Sequence, residues 1–168
     1  MESIALPLAL PEVHVNVGDA SALRERGVLS SIGLGSCVAL VLYDRETRIG
    51  GLAHILLPHE ALSRTPGKPS RYSTTALPHL LTLMRTLGPV VRPTARLVGG
   101  ASMFANLLSG GGINMGERNI VATRRTLEVA GIPLVGEEVG EDYGRSAFLD
   151  LASGELRVTS IRHAARTV

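Results

Sequence analysis

The sequence predicts an α/β fold in which a mixed, largely antiparallel sheet carries packed helices. Three observations lead to it. At 168 residues the chain has the length of one ordinary domain, enough to bury a single sizeable core. Hydrophobic residues make up 45% and charged residues 19%, with aromatics at only 3%, so that core is built from Leu, Val, Ile and Ala. About seven or eight short extended segments, several joined as hairpins, are interrupted by just two helical stripes.

Residues 1–11 are apolar but broken by Pro7 and Pro11, and Glu2 stands where a secretory leader would carry a basic residue. They read as an N-terminal arm, with residues 12–168 as the single domain. Val13, Val15 and Val17 alternate with His14 and Asn16, the period of a half-buried strand, and the run 18–21 breaks it. Residues 28–34 form a second extended segment, ending among Gly33 and Gly35. The continuous apolar run 38–43 is a strand covered on both faces; 44–48 is its turn, 49–57 runs back, and Pro58 stops it. The Pro- and Gly-containing stretch 59–71 is a surface loop of the kind that carries substrate contacts. A helix starts at Ser73, with Leu77, Leu80, Leu81, Met84 and Leu87 as its apolar stripe, a kink expected at Pro78 and a stop at Gly88-Pro89. Strand 95–98 delivers Gly99-Gly100-Ala101, a tight turn suited to close backbone approach. A loop over 109–116, a helix over 117–130 closed by Gly131, and strands at 134–139, 147–151 and 156–161 complete the chain.

Composition removes several functions. The sixteen arginines are scattered, with only Arg124 and Arg125 adjacent, and the formal charge is +2, so no basic stripe for nucleic acid exists. Gly110, Gly111 and Gly112 lack the Lys-Ser/Thr that a phosphate-binding loop needs. No stretch approaches the ~20 apolar residues of a membrane span, which predicts no membrane insertion. One cysteine excludes an internal disulfide and fits a reducing, cytoplasmic setting. One cysteine and five scattered histidines give no zinc ligand set, and no cofactor is expected.

That cysteine, Cys37, follows Ser31-Ile32-Gly33-Leu34-Gly35-Ser36, and His54 lies on the returning strand of the hairpin. If the turn is centred on Glu46, residue 54 stands opposite residue 38, and a one-residue change puts it opposite Cys37. Cross-strand Cα atoms are about 4.5–5.5 Å apart, so the hairpin alone brings the two together. A thiol is only a few per cent ionised near neutral pH, and an imidazole in reach can take its proton as the sulfur attacks a carbonyl-type carbon. A histidine in an apolar strand needs a partner for its other nitrogen. Ser31 and Ser36 are the nearest hydroxyls in sequence.

The segment from Gly33 to Ala39, Asp44 in the turn, and Gly51-Leu52-Ala53-His54 through Leu57-Pro58 resemble the CheD family, the chemoreceptor glutamine deamidases. The likeness continues in Arg71-Tyr72, Thr75-Ala76, the run 99–104, Gly116-Glu117-Arg118-Asn119, Gly131-Ile132-Pro133, Val139-Gly140 and Tyr143-Gly144-Arg145. The resemblance implies Cys37 as nucleophile and His54 as base, with Ser31 standing where the family usually has Thr. A serine keeps the hydroxyl but loses the methyl that restricts its rotamer. Glu141-Asp142 stand where the family often has Gly-Asn.

The resemblance further implies an α/β/α layered sandwich and conversion of receptor glutamines to glutamates through a thioester. An oxyanion held by backbone N–H groups near Gly35, Ser36 and Cys37 follows from turn position. The implied partners are the cytoplasmic domain of a chemoreceptor as substrate and a CheC-type phosphatase. A non-catalytic or weakly catalytic adaptor that binds either partner is the rival expectation.

Overall fold

A computed structural model describes residues 9–104 and 114–168. In chain order its elements are β1 (Glu12–His14), β2 (Ala20–Arg24), β3 (Val28–Leu34), β4 (Val38–Asp44), β5 (Ile49–Ile55), α1 (Ser73–Arg85), β6 (Pro93–Gly99), α2 (Met115–Ala130), β7 (Leu134–Val139), β8 (Arg145–Asp150), β9 (Leu156–Thr159) and β10 (Arg166–Thr167). The strands divide into two five-stranded mixed sheets, in the orders β1-β3-β8-β9-β10 and β2-β5-β4-β6-β7. β4 and β5 are buried along their whole length, as the continuous apolar run of β4 predicts.

The α/β class holds, and its layer order is helix, sheet, sheet. Val38, Leu40 and Leu42 of β4 face α1 and α2, packing with Leu77, Leu80, Met84, Ile120 and Leu127. Ala39, Val41 and Tyr43 point the other way, into a second cluster with Leu29, Ala147, Leu149, Leu156 and Val158 of the other sheet. The expected α/β/α sandwich is corrected in its third layer, which is a sheet. Along β8 alternate residues are buried and half-exposed, the pattern of a sheet covered on one face, and both described α-helices cover the opposite side of the molecule.

Several boundaries also move. Strand β2 starts inside the expected break 18–21 and runs through residues 22–24, which carried no expectation, to pair with β5, and β10 was not expected at all; both are short and half-buried or exposed, with weak hydrophobic alternation. The loop 59–71 contains two short 3-10 turns. Helix α1 runs through Pro78, whose missing N–H falls on the exposed side, where water can satisfy the freed carbonyl. Most of the N-terminal arm and residues 109–113 of the expected loop lie outside the described residues. No helix among the described residues is long and apolar enough to cross a membrane.

Candidate active site

The site forms where the chain crosses from one sheet to the other. β3 pairs with β8 in regular register through Ser31↔Ala147, but Leu34 pairs with Arg145, so β3 carries one extra residue between them. Such a bulge bends its strand. Gly33 adopts φ +69° in it, and its N–H donates to Ser146 Oγ at 3.2 Å. The bend directs Gly35, Ser36 and Cys37 toward the start of β4.

All three carbonyls of this crossing are tied down. The Gly35 oxygen accepts from Ala101 N at 2.8 Å and the Cys37 oxygen from Gly100 N at 2.7 Å. The Ser36 oxygen accepts from Asn119 Nδ2 at 2.9 Å. A Cβ on Gly99 would fall on the Cys37 carbonyl oxygen, and Gly99 has φ +108°, so the close approach expected of this turn is made to the cysteine segment itself. Among the described residues, neither the Ser36 nor the Cys37 N–H has an acceptor on a neighbouring residue.

The β4–β5 ladder pairs Ala39 with His54, one residue beyond the expected 38↔54 and on the side away from Cys37. The reason is the turn. Asp44 pairs with Ile49 across four residues, and Arg48 closes it at φ +53°. The difference matters because a one-residue slip moves a side chain to the other face. In the 38↔54 register His54 would face the helices. In the observed one it shares the face of Ala39 and Cys37, which packs toward the second sheet. Cys37 and His54 are thus diagonal neighbours across the ladder, a relation that spans about 7–8 Å, somewhat less between Cβ atoms.

His54 is 2% exposed and Ser31 is fully buried. Nδ1 of His54 lies 2.7 Å from Ser31 Oγ and 3.4 Å from the Val15 carbonyl oxygen, and Ser31 Oγ donates to that same oxygen at 3.2 Å. A carbonyl only accepts, so the tautomer that satisfies all three contacts has the serine proton on that carbonyl, the imidazole hydrogen on Nδ1 and the lone pair on Nε2. Nε2 is buried and, among the described residues, has no hydrogen-bond partner. The imidazole is therefore oriented from one side by β3 and the residue after β1, with its basic nitrogen unengaged. Ser36, the other hydroxyl considered, is not the partner; its carbonyl is held by α2 instead.

Burial pushes the His54 pKa below the ordinary imidazole value, opposed by the Val15 carbonyl contact. Burial likewise pushes the half-buried Cys37 thiol up, opposed by its own backbone N–H. Both shifts act in favour of the neutral forms, thiol and imidazole. Cys37 and His54 share one face of the β4–β5 hairpin, but among the described residues no hydrogen bond joins Sγ to Nε2. Pro66, Gly67, Lys68 and Arg71 of the 59–71 loop line, with Leu56 just beyond β5, a cavity of about 500 Å³. Among the described residues no three His, Cys, Asp or Glu side chains converge to hold a metal.

Two contributors were not singled out from the residues themselves. Val15 was visible only as an inward strand position, and nothing in sequence shows which carbonyl a buried imidazole will meet. Asn119 sits on α2, 82 residues after Cys37, and only the Gly116-Glu117-Arg118-Asn119 motif marked its neighbourhood.

A family model described as CheD chemotactic sensory transduction matches residues 56–160. A Pyrococcus abyssi protein called "Probable chemoreceptor glutamine deamidase CheD" is 42% identical over 151 residues, covering 89% of this chain and 92% of that protein. Its namesake from Methanosarcina barkeri is 39% identical over 155 residues, 92% of this chain and all of the relative. A third of that name, from Moorella thermoacetica, is 37% identical over 166 residues, 96% of each chain.

Proposed function

The chain belongs to the CheD family, and from that premise we propose that it is a hydrolase converting specific glutamine side chains of chemoreceptors to glutamate, with Cys37 as nucleophile. The observation that carries this reading is the buried contact of 2.7 Å between Ser31 Oγ and His54 Nδ1, which leaves Nε2 free on the face shared with Cys37.

Cys37 Sγ attacks the amide carbon of the glutamine while its proton passes to His54 Nε2. The oxyanion is met by the Ser36 and Cys37 N–H groups, which among the described residues donate to no neighbouring residue while the carbonyls around them are fixed. The Nε2 proton then goes to the departing nitrogen, ammonia leaves, and a thioester remains. Water gives a proton to Nε2 and its hydroxide adds to the thioester carbon; collapse releases glutamate, and Sγ recovers its proton. Ser31 keeps the imidazole turned and in the Nδ1–H tautomer throughout. The new glutamates are substrates for reversible methylation, which connects the enzyme to sensory adaptation in the cytoplasm, with a CheC-type phosphatase as regulatory partner.

The test is incubation with a chemoreceptor cytoplasmic domain followed by peptide mass spectrometry. Amide-to-acid conversion is expected with the native chain and none with Cys37→Ala or His54→Ala. Receptor binding without conversion would replace this reading with that of an adaptor, and receptor fragments would point to a peptidase.

A further inference from the structure

We infer that Asn119 is a positioning residue for the reaction, a strap that sets the nucleophile's segment against the strand carrying the base. The inference rests on the deamidase reading above. Asn119 is fully buried on α2. Its single Nδ2 lies 2.9 Å from the Ser36 carbonyl, immediately before Cys37, and 2.9 Å from the Leu56 carbonyl, two residues after His54. An amide nitrogen carries two hydrogens, and here each goes to one of the two chain segments.

The place of these bonds matters as much as their number. The β4–β5 ladder is paired from Asp44↔Ile49 to Val38↔Ile55 and stops there. Cys37 and Leu56 are the next pair in line, so the nucleophile lies just past the last rung. Asn119 replaces the missing rung from outside the sheet. It also fixes the orientation of the peptide between Ser36 and Cys37, whose N–H is a proposed oxyanion donor; holding the carbonyl of that peptide holds its N–H on the opposite side.

Asn119 is itself anchored. Its backbone oxygen accepts from Thr123 Oγ1 at 2.8 Å and from Ser73 Oγ at 3.4 Å, and Thr123 Oγ1 lies 3.0 Å from Ser73 Oγ. Ser73 N donates to the Leu57 carbonyl, so the start of α1, the exit of β5 and α2 form one joint. The side-chain Oδ1 of Asn119, by contrast, is buried without a partner among the described residues. A buried unsatisfied oxygen opposes folding. An aliphatic side chain would avoid that cost, and what only the amide supplies is the pair of donors to Ser36 and Leu56.

The experiment compares kcat and KM of Asn119→Ala, Asn119→Asp and Leu127→Ala with the native chain on the receptor fragment. Leu127→Ala removes buried core packing from α2 and leaves both Nδ2 donors and the joint that anchors them in place. Asn119→Ala is expected to lower kcat about tenfold or more with KM within about twofold, since small displacements of reacting groups cost that much. Leu127→Ala is expected to lower the unfolding midpoint while leaving kcat near native. Asn119→Asp keeps the shape, but its carboxylate has no donor; protonation restores one, so its kcat relative to the native chain should rise as pH falls. If Asn119→Ala keeps native kcat, or if Leu127→Ala lowers kcat as far as Asn119→Ala does, the inference is overturned while the deamidase reading stands. If the native chain converts no glutamine, the deamidase reading falls, and the strap with it.

Discussion

Ser31→Ala is the substitution that most directly tests how the imidazole is held. It removes the hydroxyl at 2.7 Å from His54 Nδ1 and leaves that N–H only the Val15 carbonyl at 3.4 Å. Both residues are buried, so no solvent replaces the lost acceptor. An unsatisfied buried group costs about 1–3 kcal/mol. If that energy is what holds the ring and its tautomer in place, kcat falls about 5- to 150-fold, at about 1.4 kcal/mol per factor of ten. Deamidation of the receptor fragment, followed by mass spectrometry, reads kcat; urea unfolding reports the accompanying loss of stability. Ser31→Thr keeps the oxygen and stiffens its rotamer, so it is expected to preserve or raise turnover. A Ser31→Ala enzyme with native kcat, beside an inactive Cys37→Ala, would refute the orienting role.

Asp44→Asn should destabilise the fold by about 2–4 kcal/mol in urea unfolding, because Oδ2 accepts from both Val91 N and Arg92 N and an amide nitrogen there would leave both donors unpaired. Burial acts to raise the Asp44 pKa, but the backbone N–H groups of Val91, Arg92, Glu46 and Thr47 outweigh it and hold it below the ordinary value. Its stabilisation is therefore complete above about pH 3.9 and is lost as pH falls through the lower folded value, a loss that Asp44→Asn should abolish. His54 acts in a higher window. Its folded pKa is depressed, so the unfolded chain takes up the proton first, and stability is full above about pH 6.5 and declines as pH drops below it; His54→Gln should flatten that decline in unfolding midpoints compared at pH 7.5 and 5.5, roughly one unit either side of the ordinary imidazole value. Glu141→Gly should stabilise by about 1 kcal/mol, since Glu141 adopts φ +58°, where a Cβ is costly; an unchanged or lower urea midpoint would count against it.

Hydrophobic pattern made the paired strands legible. Residues 28–34 and 134–139 appear as β3 and β7 with the expected limits, and the apolar run 38–43 as β4 with one residue added. The third layer was not legible, because β8 and β9 alternate like any half-buried hairpin and nothing local says which neighbour covers their apolar face. The Cys37–His54 neighbourhood was legible as a hairpin, but its register was not. The turn centre cannot be read to half a residue from Asp44-Arg45-Glu46-Thr47-Arg48, and that half residue decides which face His54 occupies. From the residues alone Ser31 was one hydroxyl of two, and the family resemblance singled it out; the fold brings β3 behind β5 to make that contact, 23 residues apart in sequence.

His54 belongs by backbone to one sheet, yet its ring is fixed by Ser31 and Val15 from the other side of the inter-sheet core. Cys37 sits on the segment that joins the two sheets, beyond the bulge in β3. The relative position of sulfur and imidazole is thus set by how the sheets pack, through Leu29, Ala39, Val41, Ala147 and Leu149, and by the backbone bonds that pin residues 35–37. Burial, the main cause of both neutral shifts, comes from that same packing. A thiol whose pKa burial raises is a weaker target for adventitious electrophiles, because thiolate is the reactive form. The same burial leaves Nε2 without a competing partner among the described residues, so in the proposed mechanism it is free to take the Cys37 proton. Shielding of the Cys37 thiol and desolvation of the His54 imidazole therefore have one physical origin, the closure of the second sheet over the face that carries them.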